Sequence, residues 1–162
     1  ESVSVMPLSY KSTAKFQTPD PKFGSMVATK FINQLMQDGK KSTAMAVFYE
    51  ACELASKKLD EIAPGDVFVT ALENCRPAVE VRSKRVGGSN YQVPREVSPK
   101  RAQALAIRWL IGNARKKKGM PMARRLSSEF VDACNNTGAS VQWKENVHKM
   151  AEANKAYSHF NF

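Results

Sequence analysis

Apolar positions recur at helical spacing through three stretches of the first half of the chain. Val27, Phe31, Leu35 and Met36 share one face of a helix that Ser25 can cap and Gly39 ends. A second helix starts near Ser42 or Thr43 and carries Val47, Phe48, Ala51, Leu54 and Ala55 on its inner stripe. Pro64-Gly65-Asp66 breaks and recaps the chain, and a third, shorter helix turns Phe68, Ala71, Leu72 and Cys75 inward before Pro77 stops it. Ahead of all three, Pro19-Asp20-Pro21 closes an irregular arm, residues 1–18, because proline blocks helix continuation and biases its predecessor to extended geometry.

The period then changes from 3.6 to 2. Val79 and Val81 alternate with Glu80 and Arg82, and after Gly87-Gly88-Ser89, Tyr91 and Val93 flank Gln92. This predicts a hairpin whose glycine turn takes the positive φ that tight hairpins need. Pro94 lacks an amide hydrogen, so the returning strand is an edge. Two strands of roughly eight residues make an arm of about 25 Å with Lys84 and Arg85 near its tip. A lone pair of strands is marginal in water, so the arm is expected to lean on a partner.

Helical spacing returns after Ser98-Pro99, a helix start with proline in the first turn. Ala102, Ala104, Leu105, Ala106, Ile107, Trp109 and Leu110 give this fourth helix the widest apolar stripe, so it is expected at the centre. It ends in Arg115-Lys116-Lys117-Lys118-Gly119, where cations favour the negative end of the helix dipole. Pro121 opens a fifth helix with Met122, Leu126, Phe130 and Ala133 inward, stopped at Asn135-Asn136-Thr137-Gly138. A sixth starts near Glu145 and buries Val147, Met150, Ala151 and Tyr157. The fold class is mainly all-α: one bundle of six helices, 19–162, with a protruding β-hairpin, 78–97, between the third and fourth.

Composition adds limits. A chain of 162 residues suits one domain. Cys52, Cys75 and Cys134 are odd in number and far apart, without metal-ligand spacing, and read as reduced small hydrophobes. No apolar run approaches the roughly 20 residues that span a bilayer, so no membrane partner is expected. The start at Glu1 and the Ser/Thr-rich stretch after it lack the apolar core of a secretory signal.

Charge changes the picture most. Residues 76–125 hold fourteen bases against only Glu80 and Glu96, whereas the rest of the chain has eleven bases against thirteen acids. So concentrated a positive field points to a polyanion, most often nucleic acid. Three clusters carry it, Arg76–Arg85, Arg95–Arg108 and Arg115–Arg125, with Lys40-Lys41 beside them. Arg82, Lys84 and Arg85 offer phosphate contacts and Tyr91 a stacking ring. Helix-dipole compensation and solubility explain Lys117 well and Arg82 poorly.

Catalytic chemistry finds little support. His148 and His159 are the only histidines, on one helical face with no acid or cysteine set beside them by any pattern. Gly87-Gly88 lacks the strand-to-helix setting of a phosphate loop. Glu50, Glu53, Asp60 and Glu61 read as a solvated face, and Met120 and Met122 as gap filling. No catalytic residue, metal site or cofactor is assigned. An enzyme acting on a phosphorylated substrate and a helical DNA-binding protein stand as alternatives to an RNA-binding scaffold.

Several long motifs resemble a known family. Pro19-Asp20-Pro21-Lys22-Phe23, Asp38-Gly39-Lys40-Lys41-Ser42-Thr43-Ala44, Ala71-Leu72-Glu73-Asn74-Cys75-Arg76-Pro77-Ala78-Val79-Glu80-Val81 and Arg85-Val86-Gly87-Gly88-Ser89-Asn90-Tyr91-Gln92-Val93-Pro94 look like the family of small-subunit ribosomal protein number seven. So do Met122-Ala123-Arg124-Arg125-Leu126 and the run from His148 to Ala156. The resemblance implies a primary binder of the 3′ major domain of small-subunit rRNA that nucleates head assembly. It implies a hairpin near the exit-site tRNA and the mRNA path, and small-subunit proteins nine and eleven as neighbours. Self-association is not expected. The RNA-binding set it suggests is Lys22, Lys30, Lys40, Lys41, Arg76, Arg82, Lys84, Arg85, Gly87, Gly88, Tyr91, Arg95, Lys100, Arg101, Arg108, Arg115, Lys116, Lys117, Lys118, Arg124, His148, Lys149, Asn154 and Lys155. Leu8–Thr13 stands where bacterial members carry an Arg/Lys-rich arm, and Asn161 lies before the last aromatic, where the family often has arginine. The neutral start without Met suggests a processed organellar protein, mitochondrial in the first instance, with a bacterial cytoplasmic or plastid ribosome as alternatives.

Overall fold

In the computed structural model, which describes residues 13–60 and 62–160, the expected helix cap at Ser25 is formed. Its Oγ accepts from the amides of Val27 and Ala28 at 3.2 and 3.4 Å and opens α1 (Met26–Leu35). The helices α2 (Lys41–Lys58), α3 (Pro64–Cys75), α4 (Pro99–Lys116), α5 (Met122–Cys134) and α6 (Gly138–Ala153) follow in order. The hairpin β1 (Val79–Val86) and β2 (Ser89–Glu96) stands between α3 and α4, and 3₁₀ turns occupy Thr13–Phe16 and Lys155–Phe160. The fold is mainly α, as the periodicity implies. Residues 1–12, Glu61 and the pair 161–162 lie outside the described residues, and with them most of the N-terminal arm and the C-terminal departure at Asn161.

The core is a knot of phenylalanines. Phe31, Phe48, Phe68 and Phe130 are fully buried, one from each of α1, α2, α3 and α5, with ring centroids 5.1–6.4 Å apart and mostly edge-to-face. Burying each ring stabilises the fold by about 1.5–3 kcal/mol. Leu72, Leu110, Leu126 and Ile111 complete the cluster. Before α1, the buried Asp20 closes the Pro19–Phe23 loop. Its carboxylate accepts from the amides of Lys22 and Phe23 and from the Tyr49 hydroxyl. Burial, then that hydrogen bond, raises the Tyr49 pKa to about 12.

Four expectations need correction. The most enclosed helix is α5, packed on α2, α3, α4 and α6. Its small residues Ala123, Ser127 and Ala133 let neighbours approach closely, and Ala123, Leu126, Ser127, Glu129, Phe130 and Ala133 are all buried. Helix α4 is more open, with Ala104 exposed and Trp109 half-buried against Trp143 of α6. Second, α6 begins seven residues before Glu145, because the segment read as a stop is a tight corner. Asn136 and Gly138 have φ of +53° and +86°, and a Cβ at Gly138 would meet Asp132 Cβ at 2.6 Å, so only glycine fits. Third, Met150 is 48% exposed and Tyr157 leaves the helix for the C-terminal 3₁₀ turn.

The fourth concerns the hairpin. Register Val86↔Ser89 leaves Gly87 and Gly88 as a two-residue turn with φ of +57° and +86°, the geometry of a type I′ turn. The hairpin leans on its own chain. The Ala78 amide donates to His148 Nε2 at 3.1 Å, Lys84 Nζ donates to the Phe160 carbonyl at 2.9 Å, and the Tyr91 ring lies 5.1 Å from both Tyr157 and Phe160. Glu80, Lys84, Tyr91 and Val93 fall on one face by register. That face carries the buried Glu80 and Val93, so the alternation does not sort polar from apolar.

Candidate nucleic-acid interface

One face of α4 repeats at Lys100, Gln103-Ala104 and Ile107-Arg108, the spacing of successive helical turns. Opposite it α1 presents Lys30, Asn33 and Gln34, and Gln17 closes one end from the segment before α1. Thr29 Oγ1 donates to the Thr18 carbonyl at 2.8 Å and so fixes that segment against α1. Together they enclose a groove of about 330 Å³. Lys30, Lys100 and Arg108 are exposed, and none makes an ion pair or hydrogen bond among the described residues. Three unneutralised cations thus converge from helices some seventy residues apart.

At the root of the hairpin one carboxylate organises two arginines. Glu80, 8% exposed, receives Arg82 Nε at 3.1 Å and Arg101 Nε at 3.3 Å, tying β1 to the first turn of α4. The trio keeps one net positive charge, and both guanidiniums remain partly in water. Arg85 and the two tip glycines are exposed. The Tyr91 ring, expected as a stacking platform, is engaged by Tyr157 and Phe160.

The basic run at the end of α4 is divided. Lys117 Nζ sits 2.8 Å from Glu129 Oε1, a carboxylate only 1% exposed, and also reaches Ser128 Oγ at 2.9 Å and Asp132 Oδ2 at 3.4 Å. The contact with Oε1 is an ion pair without the alignment of a good hydrogen bond. The other Glu129 oxygen accepts from Ser140 at 2.9 Å, and Ser140 accepts from Asn113 at 3.1 Å, so one buried polar chain links α4, α5 and α6. Arg115 Nη2 donates to the Leu35 carbonyl at the end of α1, and Lys116 lies 5.4 Å over the Trp143 ring. Of the four, Lys118 alone makes no such contact among the described residues.

The remaining candidates scatter. Lys40 and Lys41 are exposed at the α1–α2 turn, and Arg124 and Lys149 are exposed on α5 and α6. Lys22 pairs with Glu53 and Arg76 with Glu73. Asn154 turns its amide back onto the Met150 carbonyl, ending α6. Arg95 and Lys155 line a wider cleft between the hairpin root and α6, but Glu96 and Glu152 line it too, which weakens its field for a polyanion. Sequence reasoning missed Gln17, Asn33, Gln34 and Gln103. The signal of Asn33, Gln34 and Gln103 was helical spacing beside bases, not charge.

All three cysteines are free, and burial pushes the thiols of Cys52 and Cys75 up to about 12. Among the described residues there is no group of three metal-ligating side chains, and no helix is long and apolar enough to cross a membrane.

Comparison with known proteins adds a family. The model of the family described as ribosomal protein S7p/S5e matches residues 7–155. Small ribosomal subunit protein uS7 of Nitratiruptor sp. is 53% identical over 144 residues, covering 89% of this chain and 92% of that protein. The protein of the same name from Psychromonas ingrahamii is 54% identical over 144 residues, with the same coverage of 89% and 92%. That from Rhizobium johnstonii is 52% identical over 153 residues, covering 94% and 97%.

Proposed function

Because the chain belongs to the ribosomal protein S7p/S5e family, its role is structural rather than enzymatic, and we propose that it binds the 3′ major domain of small-subunit rRNA. In this reading it is an early, primary binder that nucleates the subunit head. The observation that carries the reading is the α1–α4 groove, where Lys30, Lys100 and Arg108 meet with no acid to neutralise them. A polyphosphate chain laid across that face releases counterions and gains affinity from each contact. The Glu80-organised pair Arg82 and Arg101 extends the face toward the hairpin.

The hairpin tip is the part that reaches. Arg85 and the glycine turn project beyond the Lys84–Phe160 anchor, and in this proposal they approach exit-site tRNA and mRNA. Proteins nine and eleven of the small subunit are the proposed neighbours, and the helical domain with its hairpin is proposed to act as one binding unit. The compartment is a finer proposal: a mitochondrial small subunit, supported by the Ser/Thr-rich composition of residues 8–13, with Lys11 their only base, where a basic arm is expected. The relatives described above are bacterial, and subcellular fractionation distinguishes the compartments.

The decisive experiment is competition between a head-domain rRNA fragment and duplex DNA at one salt concentration. Strong preference for the rRNA fragment is expected. Equal affinity for both would favour a helical DNA-binding protein instead.

A further inference from the structure

The α1–α4 groove holds more than cations. Four amide side chains, Gln17, Asn33, Gln34 and Gln103, line it beside Lys30, Lys100 and Arg108, with Ala104 and Ile107 as an apolar floor. Gln103 Nε2 is shielded from water and has no hydrogen-bond partner, and Asn33 and Gln34 make no side-chain hydrogen bond among the described residues. A sequestered donor without a partner is destabilising, so Gln103 calls for an explanation. A phosphate rim explains the cations and can satisfy the amide donors, but it leaves the amide acceptors without a partner. Phosphate oxygens only accept, whereas a carboxamide both donates and accepts, which is what the edge of a base offers in return.

We propose that this groove receives one unpaired base of the bound RNA, turned out of its own strand. The proposal rests on the rRNA-binding reading and sharpens it to a subsite. Lys30, Lys100 and Arg108 hold the flanking phosphates at the rim. The base slides between α1 and α4 over Ala104 and Ile107, and the Gln103 side chain turns to bring its shielded Nε2 to an acceptor on the base edge. Asn33 and Gln34 bond the remaining edge atoms from α1. The volume of about 330 Å³ lies within the roughly 300–1,000 Å³ typical of small-ligand clefts. Unpaired bases are what proteins read in RNA, because the deep groove of the paired helix hides its base edges.

The test uses the full chain and a head-domain rRNA fragment, with Gln103→Met, Asn33→Ala with Gln34→Ala, and Lys30→Gln with Arg108→Gln. Affinity is measured across a salt series, and chemical probing reads base reactivity nucleotide by nucleotide. Gln103→Met keeps the length of the side chain and removes the orphan amide, so thermal stability should hold or rise. It should weaken binding about tenfold at every salt concentration without changing the salt slope. It should also restore the reactivity of one unpaired base that the unaltered protein protects. The α1 amide variant should expose the same base, while the cation variant should flatten the slope. Affinity and footprint unchanged in both amide variants would overturn the pocket and leave rRNA binding intact. No preference of the unaltered protein for rRNA over duplex DNA would overturn both.

Discussion

Two stretches of α4 carry positive charge and treat it differently. Lys100, in its first turn, and Arg108, at its middle, face an open groove with no acid beside them. At its end, Lys117 is drawn onto the buried Glu129 while Arg115 caps α1 through the Leu35 carbonyl. One stretch leaves Lys100 and Arg108 unpaired among the described residues, and the other ties Arg115 and Lys117 into the fold. A count of bases cannot separate the two, because the difference lies in which neighbours α5 and α1 bring.

The sharpest way to break this contrast is Lys117→Met. It strands a buried carboxylate, so unfolding in denaturant should show a loss of about 3 kcal/mol, with the salt slope of RNA binding unchanged. Adding Glu129→Gln should recover part of the loss. Full stability together with a flatter slope would place Lys117 on the RNA face. The complementary change, Lys30→Gln with Arg108→Gln, should leave stability within about 0.5 kcal/mol and lower the salt slope by about 1.4, near 0.7 per phosphate contact. A slope that did not move would mean the groove cations meet no phosphate.

Trp109 probes the ground between. Half-buried and stacked on Trp143 at 6.5 Å, it should cost about 2 kcal/mol on truncation to alanine, less than the roughly 3–5 of a fully buried aromatic. A double-mutant cycle with Trp143→Ala should return a coupling of about 0.5–1 kcal/mol. Zero coupling would mean that the rings act separately. The smallest effect on the fold is expected at the hairpin tip. Replacing 85–90 by a short glycine linker keeps the Lys84–Phe160 and Tyr91–Phe160 anchors, so thermal stability and rRNA affinity should hold. Reconstituted subunits should instead show altered tRNA retention at the exit site. Loss of rRNA binding with native circular dichroism would make the tip the primary anchor.

Much of the fold was legible because its signals are local. Ser25 caps where a serine before an apolar stripe should, and Gly87-Gly88 turns where two glycines between alternating strands should. The start of α6 was not legible, since Asn135–Gly138 has the composition of a stop and becomes a corner only because α5 and α6 pack across it. The site was half legible. Lys30, Lys100 and Arg108 were in the expected set, but nothing in their positions said that they converge. The amides between them carry no charge to notice.

The sequence by itself determined six amphipathic helices, a glycine-turned hairpin, a positive middle third and a family resemblance. Periodicity, capping chemistry and net charge are properties of neighbours along the chain. Tertiary structure alone decided which charges remain available. Glu80 gathers Arg82 and Arg101, Glu129 claims Lys117, and the C-terminal turn covers Tyr91. Electrostatic partnership depends on distance and burial: Arg82 lies two positions from Glu80 on one strand, but Arg101 and Lys117 lie 21 and 12 positions from their carboxylates and reach them only when the elements pack.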